Sequence, residues 1–163
     1  TGYGLRKFID DKNLTADAVY QGGDNDWIYM RYAEVLLNYA EAKNEFSGPD
    51  ASVYDALDKV RNRGGLPPLP RNFTKAALQT KIRNERRVEL CFEEHRVYDV
   101  RRWKIGMTAF NSPVYRMNVV KNTNGTLTYS KVVLEPRAYQ EKYNLFPIPQ
   151  IEIERNRKLT PNP

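Results

Sequence analysis

The chain has 163 residues, 40% of them hydrophobic, which is the length of one domain able to bury about two thirds of its unfolded surface. Its net charge of +6 invites a phosphate-binding reading, but between Lys81 and Lys104 eight basic residues interleave with five acids, so half the excess lies in mixed charge. The sequence lacks a Gly-rich RNA-binding signature, a zinc finger and any apolar run near the ~20 residues of a membrane span, and Cys91 has no partner for a disulfide or a multi-thiolate site.

In chain order, 1–26 reads as an irregular opening segment, with Gly2, Gly4, Gly22 and Gly23 and little periodicity. The sequence starts at Thr1 with neither an initiator Met nor an apolar leader, so we expect a piece of something longer. A helical hairpin is predicted over 27–70. Its first helix, Trp27 to Phe46, repeats Ile28, Tyr32, Val35, Leu36, Tyr39, Ala42 and Phe46 at helical spacing, and Ser47-Gly48-Pro49 stops it. The second starts near Asp50, shows Val53, Ala56, Leu57 and Val60 on one face, and ends at Gly64-Gly65 before Pro67-Pro68-Leu69-Pro70.

Ala56, Val60, Arg63 and Pro68 keep the spacing of half a tetratricopeptide repeat. One repeat cannot cover its own apolar face, so the hairpin must lean on the next helix or on a neighbouring repeat.

A long helix over 72–105 follows, capped by Asn72 or Thr74 and ended by Gly106, with a bend or break allowed near Glu94-His95. Steps of four, three, four, three and four residues place Glu85, Glu89, Phe92, Arg96, Asp99 and Trp103 on one helical face. A face expected to be apolar is thus mostly ionised. We read Glu85, Arg86, Glu89, Glu93, Arg96, Asp99 and Arg102 as a structural ion-pair network, with Arg86 at helical reach of Glu89, Arg96 of Glu93 and Asp99, and Arg102 of Asp99. Glu89, Glu93, Arg96 and Asp99 are expected to clamp the helix to neighbouring backbone and to the tail.

The last segment, 106–163, switches period. Tyr115, Met117 and Val119, then Leu127, Tyr129 and Val133, alternate about Asn122-Thr-Asn-Gly125, which predicts a β-hairpin with a type I′ turn. Prolines hold Tyr143–Pro149 extended, Pro149 opens a short helix through Ile153 or Arg155, and 158–163 stays irregular. The expected fold class is mainly α, built as one unit over 1–163.

Catalytic constellations are weak. His95 is the only histidine, which excludes a two-His helical metal motif; no Ser occupies a nucleophile elbow and no Gly-rich loop opens a helix. Asp99, one turn on, is placed to orient the imidazole, but each nearby carboxylate has an Arg at helical reach. We expect no catalytic residue, no metal and no cofactor.

The run Glu85–Trp103, ERRVELCFEEHRVYDVRRW, resembles the signature E-R-x-x-E-L-x-F-E-x-x-R-x-x-D-x-x-R-W of SusD/RagB-type proteins, matched by Glu85, Arg86, Glu89, Leu90, Phe92, Glu93, Arg96, Asp99, Arg102 and Trp103. RYAEVLLNYAEAKNE from Arg31 is similar to the family's repeat helix, and NLFPIPQIEIERNRKLTPNP to its closing segment. Glu94 stands where the family often has Gly, and Cys91, Arg157 and Pro161 also depart.

The resemblance implies the C-terminal part of a tetratricopeptide-like, non-catalytic lipoprotein of Bacteroidetes-type bacteria, lipid-anchored outside this chain on the outer surface of the outer membrane. Such a protein captures oligosaccharides for a SusC-like TonB-dependent transporter, with no nucleic acid involved. Much of the family's sugar-contacting surface lies upstream. Within this chain Tyr32, Tyr39 and Trp103 fall at expected core positions, whereas Trp27 and Tyr29, after the polar loop Gln21–Asp26, are the candidate ligand-binding residues. Two other classes fit parts of the sequence: a helical-repeat protein-interaction module using Arg31–Gly65, and a basic nucleic-acid-binding domain, whose affinity would fall steeply with salt.

Overall fold

The computed structural model describes residues 2–9 and 26–162, so most of the expected irregular opening segment lies outside the described residues. The chain groups into two compact units, Asp26–Arg96 and, with the described N-terminal residues, Val97–Pro163.

The first unit is built on α1 (Tyr32–Ser47), α2 (Ala51–Arg63) and α3 (Lys75–Glu89). Helix α1 starts five residues later than periodicity suggests, because Trp27–Arg31 is not helical. Its buried stripe is also different from the expected one: Ala33, Leu37, Ala40 and Asn44 face inward, while Tyr32, Tyr39 and Phe46 are exposed. Steps of four, three and four describe either stripe, but small residues on the inner one leave room for close approach, and α1 packs on both α2 and α3.

Helix α2 begins as its cap residue dictates. The Asp50 carboxylate accepts from the Val53 N–H (3.1 Å) and from the Ser52 hydroxyl (2.6 Å), and these bonds, the Ser52 one first, hold its pKa below the ordinary value. Val53, Ala56, Leu57 and Val60 meet Leu37 of α1 and Leu78 and Ile82 of α3 in one core, each large apolar side chain contributing about 1.5–3 kcal/mol. Two buried polar groups fix the connections. Asp58 accepts from the Leu69 N–H (2.9 Å) and from Arg71 (2.6 Å), pinning the proline-rich link, and Asn44 donates to the Lys75 carbonyl (3.1 Å).

Thr74 caps α3 by accepting from the Ala77 N–H (3.3 Å). The expected long helix ends at Glu89 and resumes as α4 (His95–Arg102); Leu90–Glu94 is a turn. Phe92 (φ 61°) and Glu94 (φ 63°) sit in the left-handed region, where a side chain crowds its own backbone. Because of that break, the six residues spaced along 85–103 do not share one helical face.

In the second unit, α4 is followed by α5 (Gly106–Phe110), the strands β1 (Val114–Lys121) and β2 (Leu127–Glu135), a 3₁₀ turn (Glu141–Asn144) and α6 (Gln150–Arg155). Gly106 opens α5 rather than simply stopping the preceding helix, and it is buried: a Cβ there would run into the Tyr139 ring. The two strands pair antiparallel with Tyr115 opposite Val133, Met117 opposite Lys131 and Val119 opposite Tyr129. The turn differs from the type I′ expectation. Within it only Gly125 has positive φ (83°), and its N–H donates to the Asn122 carbonyl (2.9 Å) while the Asn122 N–H donates to Thr126 (2.8 Å), as in a three-residue loop closed by a left-handed glycine. The Arg101 guanidinium lies 3.8 Å from the Phe146 ring centroid, joining α4 to the extended closing segment.

Candidate functional site

In the first unit the non-helical residues before α1 carry the sequence-predicted ligand-binding side chains. Trp27 is 55% and Tyr29 88% exposed, with Met30 exposed beside them. The stem of this segment is fixed by the next residue. Arg31 donates from Nε and Nη2 to the two Glu93 carboxylate oxygens (2.8 and 2.9 Å), and its Nη1 and Nη2 also reach the Glu89 carboxylate (2.5 Å) and carbonyl (2.7 Å). The Glu93 side chain is 1% exposed. Its hydrogen bond is the foremost cause holding the Arg31 pKa above the ordinary value, against the opposing effect of burial. A planar fork between two carboxylates sets both the direction and the position of the backbone at the start of α1. Exposed aromatic rings on an immobilised stem are suited to holding an apolar ligand face with little loss of conformational freedom.

The charged residues of 85–102 have partners in each unit. In the first unit Glu85 takes Arg61, Glu89 takes Arg31 and Arg63 (2.5 Å), and Glu93 takes Arg31. Arg86, itself buried, reaches Asn38 and lies 3.9 Å from Glu41, both on α1. Arg96 also belongs to this unit and has an interaction of its own. In the second unit Arg102 donates to Asp99 from Nε (2.9 Å) and Nη2 (2.8 Å). His95 faces Glu34 across 3.6 Å.

The guanidinium partners Arg31, Arg61 and Arg63 had no local signal, since helical spacing compares residues only within one helix. Trp103 is half-buried with Arg102 over its ring, and Tyr32 and Tyr39 stand outside the core. Among the described residues no cluster of His, Cys, Asp and Glu is arranged to hold a metal, and no helix is long and apolar enough to cross a membrane.

The sequence profile of the SusD family matches residues 1–163. The chain belongs to the SusD family. It is 35% identical over 146 residues to SusD-like protein P2 of Formosa agariphila, a match covering 84% of this chain and 25% of that protein. Among solved structures, a SusD-like protein from Bacteroides fragilis superposes with a TM-score of 0.74 at 37% identity, over 83% of this chain and 25% of that one. A SusD homolog from Bacteroides thetaiotaomicron gives 0.63 at 32% identity, over 84% and 26%. The chain therefore spans about a quarter of the length of these relatives.

For a SusD-family chain the geometry explains why the signature carries acids at spaced positions. Glu85, Glu89 and Glu93 each receive a guanidinium from the segment 31–63, so the signature and the helical hairpin are joined through charge. The left-handed backbone at Glu94 likewise accounts for the glycine often found there in the family.

Proposed function

We propose that this chain is the C-terminal part of a larger SusD-type surface lipoprotein that captures oligosaccharides without catalysis and passes them to a TonB-dependent transporter of the SusC type. A lipid anchor elsewhere in the polypeptide holds it on the outer face of the outer membrane. Family membership over the whole chain carries this reading. The ion-pair groups serve the fold in it, and ligand contact falls to exposed aromatic residues.

Trp27 and Tyr29 are the ligand-facing pair in the first unit. Their rings are exposed, and the Arg31 fork fixes the backbone beneath them. A sugar ring presents an apolar C–H face to an aromatic surface and its hydroxyls to polar groups around it.

The test uses the full-length protein and tryptophan fluorescence titrated with glycan pools. Binding is expected to perturb Trp27, and Trp27→Ala to weaken affinity about tenfold. Unchanged affinity in Trp27→Ala removes this pair as a contact. Absence of binding to any pool, with a correctly folded protein, refutes glycan capture itself.

A further inference from the structure

The second unit holds a cleft of about 360 Å³, within the range of small-ligand sites, that neither the family signature nor the Trp27–Tyr29 pair touches. Phe110 and Tyr139 line it on the aromatic side, and Glu135, Pro136 and Arg137 form its rim. We propose that this cleft is a second saccharide-binding subsite, selective for neutral over anionic sugars; the proposal rests on the reading of the protein as a glycan binder.

Tyr139 is held by several neighbours at once. Its N–H donates to the Asn111 side-chain carbonyl (2.5 Å), and the Asn111 amide donates back to the Tyr139 carbonyl (3.4 Å). Its hydroxyl donates to Asn144 (3.0 Å), Tyr143 meets its ring edge-on at 5.6 Å, and Phe110 packs tilted against it at 5.5 Å. Gly106 lies under the ring at a separation that leaves no room for a side chain. An aromatic surface whose rotamer is fixed in advance loses little entropy when a ligand stacks on it.

The rim supplies the polar complement. Glu135 and Arg137 are two residues apart and both line the cleft, and Pro136 between them restricts the backbone. Both side chains are exposed and have no hydrogen-bond or ion-pair partner among the described residues. A carboxylate accepts from two neighbouring hydroxyls, and a guanidinium donates to hydroxyl or ring oxygens. Together with a stacking ring, those are the groups a pyranose needs.

The paired opposite charges set the class of ligand. Glu135 repels an anion that Arg137 attracts, so a uronate or sulfated sugar gains less from the rim than from Arg137 alone, whereas hydroxyls use both groups. The cleft is open to solvent, so a bound sugar need not be a chain end.

Calorimetry on the full-length protein tests this with neutral gluco-, manno- and xylo-hexaoses and a galacturonate hexamer as probes. The parent is expected to bind at least one neutral hexaose in preference to the galacturonate. The double substitution Glu135→Gln with Arg137→Gln, at exposed positions, should weaken that binding about tenfold or more at unchanged melting temperature. Full affinity in the double variant overturns the subsite while leaving glycan capture by Trp27 and Tyr29 intact. Preference for the galacturonate overturns the neutral class. A folded parent that binds none of the four probes refutes the subsite, and only failure against broader glycan pools extends that to the capture function.

Discussion

Arg31 shows how one side chain governs the surroundings of a site it does not itself form. Two carboxylates converge on its guanidinium, and Glu93 is almost wholly removed from solvent. Arg31→Ala would remove both guanidinium bonds from that buried carboxylate, a change that costs about 3–5 kcal/mol, or on the order of ten degrees in melting temperature for a chain of this size. Arg31→Lys keeps the charge but not the planar fork, so it should recover only part of the loss. Thermal unfolding of the three proteins checks this, and melting of Arg31→Ala within about a degree of the parent would show that Glu89 and Glu93 are satisfied without it. The sequence pointed to the acids but not to this partner. Helical arithmetic pairs residues three or four apart, whereas Arg31 and Glu93 are brought together only by the packing of α1 against α3.

At the scale of elements, local chemistry was legible and phase was not. Asp50 and Thr74 cap their helices because a side-chain oxygen at that position meets free amides whatever the rest of the chain does. In α1, two stripes share the same period, and aromatic size pointed to the wrong one; close packing against two helices selected alanines and Leu37 instead. The break after α3 had a signal in Glu94, whose family counterpart is often glycine. Its φ of 63° supplies the reason and a prediction. Glu94→Gly removes left-handed strain of about 1–2 kcal/mol and adds about 0.5–1 kcal/mol of backbone entropy loss, so the variant should be more stable by about 0.5–1 kcal/mol. Glu94→Ala keeps the β-carbon and should gain nothing. Equal denaturation midpoints for the glycine and alanine variants would mean that the turn is not strained at this residue.

For the molecule as a whole, the two units are unequal in what holds them together. The buried hydrophobic residues from Ala33 to Leu90 all lie in Asp26–Arg96, while Val100 is the one fully buried apolar side chain described in the other unit. The paired strands there expose Val119, Val120, Tyr129, Val132 and Val133, and a two-stranded ribbon is marginal in water without a covering layer. The aromatic and cation–π contacts around Tyr139 and Phe146 orient side chains but bury little area. Burial of apolar surface sets independent stability, and a three-helix core of roughly 70 residues lies near the lower limit at which it suffices. A fragment of residues 26–96 is therefore expected to melt cooperatively with a helical circular-dichroism spectrum, and a fragment of 97–163 to show no cooperative transition. The reverse outcome would move the stability of the chain from the helical core, on which Trp27 and Tyr29 are mounted, to the hairpin and closing segment.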